Sequence, residues 1–156
     1  MKRIIIPSTL MGILFIFGSI CLPQSKDNSN QFGVGVQVST PIIGLSAIYK
    51  VTPAIGVQGI LGFISTMKFY GVRGNYYFDS GSQYKPYVFA MLGSASYKIL
   101  DESESIFTYG IGGGAEYISN NWGLSADIGY GSFKFDKINI SVSSVIVGAG
   151  IHYYVL

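Results

Sequence analysis

Cysteine, histidine and tryptophan occur once each in this chain of 156 residues. A lone thiol, Cys21, forms no intrachain disulfide, and one thiol with one imidazole, His152, makes no zinc-binding set. Charge is also scarce. Asp, Glu, Lys and Arg make up 12% of the chain against an apolar share of 49%, and a soluble domain carries about 25% charge. The formal charge of +2 belongs to Lys2 and Arg3; from Leu22 onward eight Lys and Arg balance eight Asp and Glu. No basic run is present, which excludes nucleic acid as a partner. No Asp-x-Asp loop and no Walker loop appear, so no metal and no cofactor are expected. After the N-terminus no stretch reaches the roughly 20 apolar residues of a membrane helix.

The apolar residues are instead spread at period two, in a chain rich in Gly (21) and Tyr (12). In Phe107–Gly131, the residues Phe107, Tyr109, Ile111, Gly113, Ala115 and Tyr117 share one face, against Thr108, three glycines and Glu116. After Ser119-Asn120-Asn121, Trp122, Leu124, Ala126, Ile128 and Tyr130 share a face against Gly123, Ser125, Asp127, Gly129 and Gly131. An apolar face with aromatics at both ends, backed by a small or polar face, is the dyad of a transmembrane β-hairpin.

The same alternation predicts strands over 32–39, 43–51, 55–63, 67–78, 84–97 and about 140–156, so this hairpin supplies strands six and seven of eight. An even number lets an antiparallel barrel close without free edges. In the fifth strand Tyr87, Phe89 and Met91 point inward, which demands either a locally filled lumen or a bulge. Residues 98–105 and 132–138 read as exposed loops.

The N-terminus reads as an export signal. Lys2-Arg3 precedes an apolar core, Ile4–Ile20, interrupted by Pro7, Ser8 and Thr9, with Ser19 and Cys21 as small residues before a cleavage site. The expected divisions are a signal peptide over 1–21, with cleavage as late as residue 25 as the alternative, a polar lead-in over 22–31, and the barrel over 32–156. A retained anchor is disfavoured by the short, broken core, and lipidation of Cys21 by Ile20 before it.

With the N-terminus of the barrel in the periplasm, the breaks near 52, 79–82 and 119–121 fall on the periplasmic side. Those near 40, 65, 98–105 and 132–138 fall outside. Tyr76, Tyr117, Trp122 and Tyr153 then mark the periplasmic interface and Tyr70 and Tyr130 the outer one. A soluble ligand-binding barrel is the alternative, but its exterior would need charge, and the polar face here is mostly Gly and Ser.

The segments YKPYVFAMLG (84–93), IGGGAEYISNNWGLSADIGYG (111–131) and VGAGIHYYVL (147–156) resemble the small eight-stranded outer-membrane barrels of the OmpA/OmpX-like class. The resemblance implies an all-β, antiparallel up-and-down transmembrane barrel in the outer membrane of a Gram-negative-type bacterium, made after export through the inner membrane. It implies lipopolysaccharide and phospholipid as surroundings, recognition of the last strand by the outer-membrane assembly machinery, and a monomer. Phe89 and Met91 depart from the small residues usual after Pro-Tyr, and Leu156 stands where Phe is usual.

The inward ionisable residues are Lys50, Arg73, Glu116, Asp127 and His152. A charge stranded in a narrow lumen costs several kcal/mol, so Arg73 is expected to pair with Glu116, Asp127 or both. Pairing across the 132–138 loop places His152 near Tyr117–Ser119 and Asp127 near Ser143. That separation argues against a Ser/His/Asp site, and His152 is expected to bond a neighbour such as Tyr154 or Glu116. The glycines of GIGGG (110–114) sit in an alternating strand and read as inner wall, not as a phosphate loop. The function expected is structural or surface-interacting and not catalytic. A small porin-like pore for polar solutes is the first alternative, and a lipid A-modifying enzyme the second.

Overall fold

A computed structural model describes residues 32–64, 67–78, 81–99, 102–135 and 140–155. The expected signal peptide and lead-in, and Leu156, lie outside them. Eight strands follow one another: β1 (Phe32–Ser39), β2 (Ile42–Thr52), β3 (Ile55–Ile64), β4 (Met67–Tyr77), β5 (Tyr84–Ile99), β6 (Glu102–Ser119), β7 (Trp122–Phe135) and β8 (Ile140–Tyr154). They close into a barrel in sequence order, every neighbour antiparallel, with β8 returning to β1. The near end holds Phe32 and the turns after β2, β4 and β6; the far end holds the turns after β1, β3, β5 and β7. In the near-end turn after β6, Asn120 takes a φ of 52°, a left-handed conformation that Asn tolerates.

The paired row Ala47, Gly59, Val72, Leu92, Tyr109, Ser132 and Ser143 starts mid-way along β2 and ends near the far end of β8. The strands are therefore strongly tilted. A level drawn along that tilt crosses a waist of small outward residues on β2 to β8: Ala47, Gly59, Gly74, Ala90, Gly113, Ala126 and Ala149. Four residues beyond the waist, toward the far end, stand Tyr70, Tyr109 and Tyr130. Four residues toward the near end stand Phe78, Tyr117, Trp122 and Tyr153. Eight residues at about 3.3 Å each and a tilt near 40° separate these girdles by roughly 20 Å.

Alternation is strict between them. Ile111, Leu61 and Ile128 are more than half exposed on the outer face, while Lys50, Arg73, Glu116, Asp127 and His152 are buried in the lumen. The fifth strand carries no bulge. Its register with β4 and β6 is unbroken from Tyr87 to Met91, so the lumen is locally filled, with Tyr87, Phe89 and Met91 inside it.

Both loop expectations need correction. Lys98 pairs with Ser103 and Ile99 with Glu102, so strand pairing runs through most of 98–105. Ser132–Phe135 pairs with Ile140–Ser143. The physical reason is that the chemistry of the two faces swaps beyond the far girdle while the parity continues. Lys134 is exposed, Ser132 is buried with its hydroxyl against those of Ser141 and Ser143, and Phe133 and Phe135 pack inward against the core. Ser94, Ser96 and Ser105 likewise face out while Ala95 and Ile106 are buried. A pattern of polar outside and apolar inside does not look like continuation of a strand that began the other way round.

Candidate functional site

The lumen is built in layers. In the far half Ile42, Ile60, Phe69, Met91, Ile106 and Ile146 are buried together. The near half is polar and falls into three bonded groups.

Arg73 Nη2 donates to Asp127 Oδ2 at 2.9 Å. Tyr87 Oη donates to the same oxygen at 2.9 Å, and Arg73 Nε to Asn75 Oδ1 at 2.9 Å. The guanidinium stacks 3.7 Å above the Phe89 ring centroid. Asp127 is flanked in register by Gly114 and Gly148; a Cβ on Gly148 would run into the carboxylate.

Glu116 does not join this group, so of the two partners expected for Arg73 it is Asp127 that pairs with it. Its Oε2 accepts from Lys50 Nζ at 3.2 Å, and its Oε1 accepts from the Tyr154 hydroxyl. The Lys50 ammonium lies 4.4 Å from the Tyr154 ring centroid and 5.0 Å from that of Tyr77. Each of the cations Lys50 and Arg73 therefore has an opposite charge and an aromatic face, and each of the carboxylates Glu116 and Asp127 an opposite charge and a tyrosine hydroxyl, which offsets the cost of leaving water.

The third group corrects the reading of His152. Its Nε2 lies 2.6 Å from Ser46 Oγ and 3.3 Å from Gln58 Nε2, and neither Tyr154 nor Glu116 is its hydrogen-bond partner. Gln58 Nε2 also lies 3.4 Å from Gln37 Oε1. The register is displaced too: Asp127 pairs with Gly148 and His152 with Gly123, because the β7–β8 hairpin is longer than the sequence implied. Ser46 was missed from the sequence. The available signal was Gly35, which pairs with Ser46 on one side and His152 on the other. Two side chains meet over it because it has none; a Cβ there would collide with the Ile151 carbonyl.

Ser46 and His152 stand at nucleophile–base distance, but catalysis needs more. His152 Nδ1 has no hydrogen-bond partner among the described residues, so no third group orients the ring, and Ser46, His152 and Gln58 are all buried. A void among Gln58, Arg73, Glu116, Ser125 and His152 amounts to about 10 Å³, room for a single water. No group of three or more His, Cys, Asp or Glu suited to a metal ion occurs among the described residues.

The far end offers a different feature. β5 to β8 are 16, 18, 14 and 15 residues long, against 8, 11, 10 and 11 for β1 to β4. The long strands stand beyond the short ones as a wall. β8 pairs with β1 only from Gly148 onward, and Thr40 N donates to Val147 O at 2.9 Å. From Ile140 to Ile146 the β1 side of β8 is unpaired among the described residues. Ile140 to Val145 are exposed on both faces.

No family model matches the chain, and no curated protein sequence does. Solved structures do. The N-terminal β-barrel domain of Pseudomonas aeruginosa OprF aligns at a TM-score of 0.59 and 15% identity, over 78% of this chain and 93% of that one. This is the fold of the eight-stranded outer-membrane barrels. Neisserial surface protein A aligns at a TM-score of 0.53 and 22% identity, over 80% of this chain and 93% of that one. A designed transmembrane β-barrel aligns at 0.52 and 23%, over 83% and 98%.

Proposed function

We propose that this chain is an integral outer-membrane barrel, closed to solutes, that acts through its far-end wall by docking an extended segment of an external partner. The wall carries the proposal. β8 from Ile140 to Ile146, ISVSSVI, is β-branched, uncharged and free of proline, and natural edge strands are usually blunted by Lys or Pro. An unpaired edge of this kind adds a strand from a partner, with main-chain bonds giving affinity and alternate side chains giving selectivity.

Outer-membrane placement is supported by the apolar outer face between two aromatic girdles, with Tyr70 and Tyr130 on one and Tyr117, Trp122 and Tyr153 on the other. Tyr76 lies just inside the near girdle. The filled lumen supports the closed reading over the pore, and the buried Ser46–His152 pair supports a non-enzymatic role. Recognition of β8 by the assembly machinery and a monomeric state belong to the same reading.

Because Val147 O faces β1, the main-chain groups of Val145 and Ser143 face the free edge, and Ser143→Pro removes an edge donor while leaving the β7–β8 ladder intact. A displayed library of extended peptides, panned on the detergent-folded barrel, should enrich β-branched, low-charge sequences that S143P fails to hold. Lack of enrichment, or equal binding by S143P, overturns the docking role. Stepwise conductance in planar bilayers overturns the closed reading, and altered lipid A masses in cells making the protein overturn the non-enzymatic one.

A further inference from the structure

Lys134 is the one charged residue on the outer face of β7 and β8 among those with described side chains. It is exposed, and no hydrogen-bond or ion-pair partner is found for it among the described residues. Its register partner on β8 is Ser141, and that of Ser132 is Ser143. The three serines form a hydroxyl cluster. Ser143 Oγ donates to Ser132 Oγ at 3.3 Å, and Ser132 Oγ lies 3.0 Å from Ser141 Oγ. Three hydroxyl protons serve two bonds, which leaves one to donate elsewhere. Val145 pairs with Tyr130 of the far girdle, so Ser141, Ser143 and Lys134 stand beyond the apolar band. The two faces of the free edge differ. Ser141 and Ser143 lie on the outer face, while Ile140 and Val142, both exposed, lie on the inner one. The main-chain groups of Ser141, like those of Ser143 and Val145, face the edge itself, by the period-two step from Val147. A residue docked opposite Ser141 therefore shares a row with Lys134, two strand spacings or about 10 Å away. The short Ser141 side chain leaves that gap open, and a lysine stem and an acidic side chain together close it.

We propose that the segment docked on the free edge of β8 carries an Asp or Glu carboxylate on the face it shares with Ser141 and Lys134, and apolar side chains on the face it shares with Ile140 and Val142. The ammonium of Lys134 meets the carboxylate, the serine cluster offers its spare proton, and the edge main chain holds the strand that bears it. A wholly apolar strand leaves Lys134 without a partner. A basic one sets like charges in one row, which is destabilising. The partner is thus an extended protein segment of alternating character, with a single acid in an otherwise uncharged strand. This inference rests on the docking role proposed above and names the chemistry of the partner.

The test separates the two. The probes are two terminally blocked, fluorescent seven-residue peptides of alternating Val and Thr, one with Glu and one with Gln at the central position. Their affinity for the barrel, folded in phosphatidylcholine nanodiscs, is read by fluorescence anisotropy. The Glu peptide should bind about threefold more tightly than the Gln peptide, within the range of an exposed ion pair. K134Q should bring the two to equal affinity. K68Q, which removes an exposed lysine of β4 at the same end, should keep the preference. S143P should hold neither peptide. If neither peptide binds the unaltered barrel, or S143P holds both, the docking role fails and this inference with it. If both bind and S143P releases them, the docking role stands; equal affinities, or a preference kept in K134Q or lost in K68Q, then overturn the carboxylate. A dimer of the detergent-folded barrel that S143P dissociates makes a second copy the occupant and overturns it as well.

Discussion

Replacing Arg73 with Met tests whether the lumen is dry. The substitution keeps most of the side-chain volume, so the cavity contribution is small and the effect reports charge. It strands Asp127, whose Oδ2 keeps the Tyr87 hydroxyl at 2.9 Å and whose Oδ1 has no partner among the described residues. Breaking a buried ion pair by removing one member costs about 3–5 kcal/mol. Loss of the guanidinium from the Phe89 ring, 3.7 Å away, adds about 0.5–2 kcal/mol. The matched double variant R73M/D127L removes both charges, and apolar replacement of a buried pair is close to neutral. It should recover most of the loss. The assay is urea unfolding of the vesicle-folded barrel followed by Trp122, the single indole, which is 51% exposed on the near girdle. A loss below about 1 kcal/mol in R73M, in the range of exposed pairs, would refute the reasoning, since it would mean that water reaches Asp127. So would a double variant no more stable than R73M.

Tyr154→Phe removes the hydroxyl that donates to Glu116 and should lower stability by about 1.5–3 kcal/mol, the worth of a hydrogen bond to a charged group, read from the same urea titration. Phe69→Ala hollows the far-end layer and should cost about 3–5 kcal/mol, yet planar bilayers should stay silent because the Arg73–Asp127 layer still closes the barrel; conductance in this variant would show that the far-end layer alone is the seal. Gly35→Ala drives a methyl into the Ile151 carbonyl and should abolish the heat-modifiable band of the folded form on gel electrophoresis, whereas Gly74→Ala, where an added Cβ meets nothing within 4 Å, should fold normally.

The architecture was readable from the sequence because the apolar band enforces it. Between the girdles every outward position must suit an apolar medium, so Ile111, Leu124 and Val147 alternate without exception and fix strand number and parity. The lumen was readable only in part. Parity sent Arg73, Asp127, Glu116, Lys50 and His152 inside, but which inward side chains meet depends on register across several strands. A five-residue error in the β7–β8 hairpin moved Asp127 from Gly148 to Ser143. Arg73 reaches Asp127 over the Phe89 ring of β5 and past the glycines of β6, and Glu116 reaches Lys50 from four strands away. Alternation carries no information about such cross-lumen meetings.

The misread segments carry the most functional weight. Lys98–Ile99, Glu102–Ser105 and Ser132–Phe135 continue as strands, but around them the polar and apolar faces trade places, so that an alternation followed along one apolar face ends there. The trade is physical. Inside the apolar band the outer face is aliphatic and the lumen holds ions; beyond Tyr70, Tyr109 and Tyr130 the outer face bears Ser and Lys while Phe133, Phe135 and Ile106 close the interior. No such exchange occurs at the near end, where Tyr153 and Val155 remain outward and apolar up to the last described residue. The two ends are therefore built for different surroundings. The interior is committed to closing the barrel with paired charges and packed rings. Freedom to bind is left to the far exterior, where two lysines and an unpaired strand edge stand with no partner among the described residues.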